Sequence, residues 1–191
     1  MAAWQLVHAY PTVNLLRAGA GAAIELNRPE SLNAWNRQLG VDLRAAVDWV
    51  AGDEDIRAVL LRGAGRAFSS GADLREVLDP TDQRRPDVYG ILTELYNPII
   101  TGVRRMPKPV VAAVHGPAVG IGCSLALACD LIVAAESAAF MLGFVNIGLA
   151  PDGGASAFVA TRAGAARAAE MAMLGEREPA AIALQWGWST G

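Results

Sequence analysis

The chain has 191 residues, of which 53% are apolar, 18% are charged and 6% are aromatic. This length and apolar content suit one domain, residues 1–191, with a substantial hydrophobic core. The net charge of −3 argues against a nucleic-acid-binding protein, because such proteins present a basic face to phosphate groups.

The sequence carries no pattern typical of a metal site, a secreted protein or a membrane span. Cys123 and Cys129 match no zinc or redox spacing, so we expect two small buried side chains and no metal. The N-terminus lacks the basic start and apolar core of a signal peptide. Polar residues and Gly116-Pro117 divide the apolar stretch 110–135 into pieces too short to cross a bilayer. We therefore expect a cytoplasmic protein without a membrane partner.

In the first half of the chain, apolar periodicity predicts strands that alternate with helices. Segments 13–16 and 22–26 flank a glycine-rich turn and predict a hairpin. Apolar residues at helical spacing predict a helix over 39–52, and a buried strand is predicted at 58–61. A short helix is expected over 73–77, with a polar loop at 80–86.

The second half continues the alternation. A helix over 89–106 contains Pro98, so a kink or break is expected there. Strands at 109–114, 130–135 and 138–141, with a helix over 120–128, precede a region dominated by helices from Gly153 onward. This alternation predicts an α/β fold.

Two segments join a strand end to a helix start through small residues. In the first, an apolar strand ends at Gly116-Pro117, and glycines lead directly into the small-residue helix predicted over 120–128. In the second, residues 67–74, the N–H of Ala72 lies at the start of a helix. Free backbone N–H groups at such positions stabilise a negatively charged oxygen. The pair therefore points to chemistry on a carbonyl group.

Several separated motifs, in order along most of the chain, resemble those of the crotonase family, the enoyl-CoA hydratases and isomerases. They are Asn27-Arg28-Pro29, Leu32-Asn33-Ala34, Phe68-Ser69-Ser70-Gly71-Ala72-Asp73-Leu74, Lys108-Pro109-Val110-Val111-Ala112-Ala113-Val114-His115-Gly116, Gly120-Ile121-Gly122-Cys123, Cys129-Asp130 and Ile147-Gly148-Leu149-Ala150-Pro151-Asp152-Gly153-Gly154.

The resemblance implies a spiral of ββα units that binds acyl-CoA thioesters. It implies two oxyanion donors, the N–H groups of Ala72 and Ile121, although a glycine is common at the second position. It implies no cofactor beyond the CoA moiety of the substrate. The positions that would contact CoA are Leu32, Ala34, Ser70, Ala72, Asp73, Leu74 and Arg75. Arg75 could meet a phosphate group or be a solvated charge on a helix.

The resemblance also indicates which acid–base groups to expect. The two glutamates that handle water in the family's hydratases fall on Ser124 and Phe144, which cannot act as carboxylate bases. The carboxylate of some isomerases falls on Asp152, and burial beside Phe144 would raise its pKa and strengthen it as a base. The alternative is that Asp152 caps a helix that begins at Gly153; both roles could coexist.

The resemblance further implies homo-trimers or hexamers built through C-terminal helices. The chain ends at Gly191, where a further strand would be expected, so we expect a shortened crotonase-like core that largely lacks that helical region. This makes assembly doubtful and leaves three functions open. They are an acyl-CoA isomerase with Asp152 as base, an enoyl-CoA hydratase, and a truncated non-catalytic subunit that binds acyl-CoA.

Overall fold

The computed structural model describes residues 3–77 and 87–189. Its strands are β1 (Gln5–Ala9), β2 (Val13–Ala18), β3 (Gly21–Leu26), β4 (Ala58–Gly63), β5 (Val110–Val114), β6 (Pro117–Val119), β7 (Leu131–Ala134), β8 (Ala139–Met141) and β9 (Glu178–Pro179). Its α-helices are α1 (Arg37–Gly52), α2 (Leu74–Val77), α3 (Val88–Gly90), α4 (Asn97–Arg104), α5 (Ile121–Ala128), α6 (Ala155–Ala163), α7 (Ala165–Leu174) and α8 (Ala180–Gln185). The loop expected at 80–86 lies outside the described residues.

Two sheets organise the chain. The larger has the strand order β1-β2-β3-β4-β5-β7, antiparallel from β1 to β3 and parallel from β3 to β7. The smaller has the order β6-β8-β9. Strands β5 and β7 enter the larger sheet, whereas β6 and β8, which follow them, enter the smaller one. A helix comes after each of these pairs, so the predicted spiral of ββα units is confirmed.

Helix α1 covers one face of the larger sheet. Its apolar positions lie on one side and are buried, as the periodicity predicts: Leu39, Leu43, Ala46, Val47 and Val50. The Asn36 side chain caps the helix by accepting a hydrogen bond of 2.9 Å from the Leu39 N–H. The hairpin of β2 and β3 is also confirmed, but β1 was not predicted.

The helix that contains Pro98 is not broken at the proline; a π-helical segment precedes the proline instead. The helix runs on from α3 to α4 through a π-helical segment, Ile91–Tyr96, in which the Asn97 N–H donates to the Leu92 carbonyl. Pro98 has no N–H to donate to the preceding turn, and the wider π-helical turn lies directly before it in the chain. Gly40 of α1 packs closely on this segment: a Cβ at this position would overlap the Leu95 side chain.

Of the helices in the described ranges, none combines the length and the apolar character that crossing a lipid bilayer requires. The two cysteines are free and buried, as expected.

Candidate active site

The two glycine-containing loops expected to hold the oxyanion donors lie side by side. The Ser69 N–H donates to the Pro117 carbonyl at 3.0 Å, and the Val119 N–H donates to the Ser69 carbonyl at 2.9 Å. This parallel bridge pairs Ser69 with Ala118. Ala72 and Ile121 each follow three residues after their paired residue. The structure therefore brings the two predicted donors to corresponding positions on adjacent segments.

Glycine is required where these loops approach each other. Gly71 has a φ of +90°, and a Cβ at this position would lie 2.9 Å from the Val119 carbonyl oxygen. A larger residue would have to adopt an unfavourable backbone conformation and push the second loop away. Gly71 therefore sets the spacing between the two donor segments.

Trp35 fixes the orientation of the Ala72 peptide. The Trp35 N–H donates to the Gly71 carbonyl at 2.7 Å, and its carbonyl accepts from the Asp73 N–H at 2.9 Å. In a parallel bridge these bonds go to the neighbours of the paired residue, so the N–H of Ala72 points away from Trp35. Within the part of the chain that the structure describes, the N–H groups of Ala72 and Ile121 donate no hydrogen bond.

A mostly apolar cavity lies against the two donor segments. Side chains from several elements line it, including Tyr96, Leu142, Phe144, Leu149 and Asp152, together with Ala72 and Ile121. Phe144 is 6% exposed, which makes one corner of the cavity apolar, as expected. Charges beside apolar walls interact more strongly than in bulk water, because the walls screen them less.

Asp152 brings a carboxylate to this cavity. Burial raises its pKa to about 6, the direction expected from the sequence. Its Oδ1 atom is buried and has no hydrogen-bond partner among the described residues. The idea that Asp152 caps a helix is wrong: α6 begins at Ala155 after Gly154, with no side-chain cap, and only the carbonyl of Asp152 contacts its first turn. The Asp152 carboxylate is therefore available to a ligand.

The positions expected to contact CoA fall into two groups. Ser70 and Leu74 line the cavity with Ala72, and the Ser70 N–H donates to the Leu32 carbonyl at 2.9 Å. Ala34 is 6% exposed and precedes Trp35. Leu32 and Ala34 are not among the residues that line the cavity, and the two remaining positions, Asp73 and Arg75, are engaged with each other.

Asp73 and Arg75 form an ion pair. The Asp73 carboxylate accepts from Arg75 Nε at 3.1 Å and from Arg28 Nη1 at 3.3 Å. The hydrogen bond and charge of Arg75, with a smaller effect from Arg28, keep the pKa of Asp73 low despite burial. The Arg75 side chain is 78% exposed, so its guanidinium lies at the surface beside the cavity mouth residue Leu74. Contact with a phosphate remains a prediction.

Sequence reasoning missed Trp35, Tyr96 and Arg28 as parts of this site. Trp35 directly follows a recognised motif, and Tyr96 precedes Asn97-Pro98 within a predicted helix. Trp35 and Tyr96 each combine a large aromatic ring with a polar group, and this combination is the sequence signal that could have identified them. Arg28 lies inside a recognised motif, but its partner Asp73 is 45 residues away.

Comparisons with known proteins agree with this geometry. A family model described as enoyl-CoA hydratase/isomerase matches residues 18–189. The chain is 41% identical over 165 residues to the 1,2-epoxyphenylacetyl-CoA isomerase of Escherichia coli, covering 86% of this chain and 63% of that protein. It is 39% identical over 181 residues to a probable enoyl-CoA hydratase of Rhodobacter capsulatus, covering 93% and 68%.

Solved structures give the same result. An enoyl-CoA hydratase structure from Mycobacterium avium aligns with a TM-score of 0.82 at 40% identity, covering 95% of this chain and 68% of that one. A putative enoyl-CoA hydratase/isomerase structure from Mycobacterium abscessus aligns with a TM-score of 0.86 at 34% identity, covering 99% and 69%. The chain thus spans about two thirds of the length of the relatives it matches. Its sequence and its fold place it in the enoyl-CoA hydratase/isomerase family, the crotonases.

Proposed function

We propose that this chain isomerises acyl-CoA thioesters by moving a proton next to the thioester carbonyl. One observation carries the proposal: Asp152, whose Oδ1 atom has no hydrogen-bond partner among the described residues, lines the same cavity as Ala72 and Ile121, whose N–H groups donate to none of these residues. A base and two oxyanion donors around one apolar cavity are the groups that enolate chemistry needs. An E. coli relative and a Streptococcus mutans relative, 41% and 36% identical, carry isomerase names.

The reaction divides between these groups. The N–H groups of Ala72 and Ile121 bind the thioester oxygen of a 3-enoyl-CoA. Asp152 then removes a proton from the carbon next to the thioester, and the resulting negative charge moves onto that oxygen. The protonated carboxyl returns the proton two carbons further along, which yields the 2-enoyl-CoA. Losing one donor of this kind typically lowers the rate by roughly 10²–10³.

The rest of the substrate would lie along the residues beside the donors. Leu32, Ala34, Ser70 and Leu74 would contact the CoA moiety, and the exposed guanidinium of Arg75 would meet a phosphate. Asp73 would act through Arg75, because its own carboxylate already accepts hydrogen bonds.

Hydration of an enoyl-CoA is the second candidate, because the R. capsulatus relative is named as a probable hydratase. It would need a second group to orient the water beside Asp152. Phe144 cannot do so, and the Ser124 hydroxyl is 3.0 Å from the Asp152 carbonyl, to which it donates. The isomerase is therefore the better supported of the two.

Incubation of the chain with 3-enoyl-, 2-enoyl- and ring-bearing acyl-CoA esters tests the proposal. Chromatographic separation of the enoyl isomers, followed by mass spectrometry, distinguishes isomerisation from the addition of one water. We expect interconversion of the 3-enoyl and 2-enoyl esters and no hydrated product. The variant Asp152→Asn should lose about 10²–10⁴ in turnover while still binding CoA esters.

The matched control is Asp55→Asn, which changes an 84% exposed carboxylate and should leave turnover intact. Full activity in Asp152→Asn would exclude Asp152 as the base. A hydrated product would favour the hydratase, and binding without any product would indicate a non-catalytic acyl-CoA-binding subunit.

A further inference from the structure

Tyr96 lines the cavity but has no role in the proposed reaction. It is the last residue of the π-helical segment and is 5% exposed. It lines the cavity with Ala72, Ile121 and Asp152. Burial and, to a smaller extent, the charge of Asp152 raise the pKa of Tyr96. Its hydroxyl is therefore protonated at neutral pH and can donate a hydrogen bond.

The Tyr96 hydroxyl has a poor hydrogen-bond partner. It donates to the Trp35 carbonyl oxygen over 3.4 Å, much longer than the usual O–H···O distance of about 2.7–2.8 Å. That carbonyl already accepts a hydrogen bond of 2.9 Å from the Asp73 N–H. Buried hydroxyl groups normally have a well-placed partner, so a ligand oxygen at the usual distance would replace this long bond with a stronger one.

The surroundings leave room for such a ligand. Among the described residues, no hydrogen bond joins Tyr96 to Asp152, although the Asp152 carboxylate is near enough for its charge to raise the pKa of Tyr96. The other nearby lining side chains Leu142, Phe144 and Leu149 offer no polar atom. The Ser70 hydroxyl, which belongs to another part of the lining, donates to the Ser31 carbonyl, so an oxygen atom on the acyl group beside these apolar side chains would have Tyr96 as its donor.

The ring of Tyr96 is held in place before any ligand binds. It meets the Trp35 ring edge to face, with 5.1 Å between the ring centroids and 85° between the planes. Trp35 is 1% exposed and is itself bonded to the segment that carries Ala72. A fixed donor selects ligands better than a mobile one, because no side-chain freedom is lost on binding.

We propose that Tyr96 determines specificity by donating its hydroxyl hydrogen to a hydroxyl or carbonyl oxygen on the acyl group. The site then prefers oxygen-bearing acyl thioesters to plain hydrocarbon ones. This inference rests on the proposed function, because it takes the thioester oxygen to lie at Ala72 and Ile121. A pocket built to hydrogen-bond a substrate disfavours the analogue that lacks the polar atom, since the Tyr96 hydroxyl then keeps only its long hydrogen bond to Trp35.

Equilibrium binding tests this without requiring turnover. Calorimetry would compare butanoyl-CoA and pentanoyl-CoA with their derivatives that carry a hydroxyl or a carbonyl oxygen on the third or fourth carbon. We expect at least one oxygen-bearing ester to bind about 10-fold to 100-fold more tightly than its hydrocarbon parent. In Tyr96→Phe this preference should vanish, because binding of the oxygen-bearing ester weakens while the parent keeps its affinity.

The control is Tyr89→Phe, which removes the hydroxyl of a tyrosine that is 79% exposed and should retain the preference. Equal weakening of both esters in Tyr96→Phe, absence of any preference in the unaltered chain, or no binding of any CoA ester would overturn the inference. A preference that depends on Tyr96 in a chain without isomerase activity would refute the proposed reaction and leave this inference standing.

Discussion

The hydroxyl of Ser124 donates a hydrogen bond of 3.0 Å to the main-chain carbonyl oxygen of Asp152. Ser124 is completely buried in α5, and the same carbonyl accepts from the Ala155 N–H at 3.0 Å. Helix α5, which begins at the donor Ile121, thus also holds the segment that carries the carboxylate. The family resemblance puts a hydratase glutamate at the position of Ser124, and we expect Ser124 to position Asp152 instead.

Replacing Ser124 by alanine tests this role. The buried carbonyl would lose one hydrogen bond, so we expect the free energy of unfolding to fall by about 1 kcal/mol and turnover to fall by a few-fold. Urea unfolding and the isomerase assay would measure the two effects. The control is Ser137→Ala, because the Ser137 hydroxyl donates to the His115 carbonyl at the same 3.0 Å distance on the exposed surface. Equal effects in the two variants would contradict a positioning role.

The free N–H groups of Ala72 and Ile121 could be expected from the sequence because their signal is local, and their role as oxyanion donors stays a prediction. A strand, a glycine turn and a helix start lie within a few residues of Ala72 and of Ile121, and any such sequence leaves N–H groups free. The hydrogen bond between Tyr96 and Trp35 joins residues 61 positions apart. A contact of this kind depends on how α1 and the π-helical segment pack, which no local pattern records.

Strands, too, can be predicted only where packing leaves a local pattern in the sequence. Burial on one face gives β2 its alternating pattern, and the hairpin could be predicted from it. All five residues of strand β1 are exposed. The strand makes no buried contact with the core, so its sequence has no apolar pattern from which it could be predicted. The sequence could not decide the role of the Asp152 side chain, because Pro-Asp-Gly suits both a helix cap and a carboxylate that faces a ligand.

Asp152 should make the protein less stable at neutral pH. Its pKa is about 6 in the folded chain against an ordinary value of 3.8. Between these values the folded state holds more protons than the unfolded state, so this residue lowers stability as pH rises through that window. At pH 7 we expect Asp152→Asn to be more stable by about 3 kcal/mol, with little difference below about pH 3. Thermal or urea unfolding across this range measures it, and an equal difference at both ends would contradict it.

The activity should rise with pH as Asp152 loses its proton, whereas the stability falls. A base must be deprotonated, so kcat/KM for a 3-enoyl-CoA should be level above about pH 6 and fall about tenfold per pH unit below it. The decline should follow the pKa that burial has raised in Asp152. A profile that stays flat from about pH 5 to about pH 8 would require another base.

Asn33 should be needed for the architecture of the first donor loop. Its side chain is completely buried, donates to the Ala67 carbonyl at 2.9 Å and accepts from the Arg28 N–H at 2.8 Å. Asn33→Ala would leave several buried groups unpaired, so we expect a loss of about 2–4 kcal/mol in urea unfolding. Asn14→Ala is the matched control, because its amide bonds Glu25 in a half-buried position and should cost well under about 1 kcal/mol.

Gly71→Ala should separate the two oxyanion donors. The added Cβ would lie 2.9 Å from the Val119 carbonyl oxygen at a φ of +90°, so the loops must move apart. We expect a loss of about 1–3 kcal/mol in stability and of about 10-fold to 100-fold in turnover. Gly19→Ala provides the comparison, because its φ is +60° but no atom lies within 4 Å of the added Cβ. It should cost about 1 kcal/mol and leave turnover unchanged, since only the backbone conformation is strained. If both variants lose stability and turnover equally, the close approach of Gly71 to Val119 does not set the donor geometry.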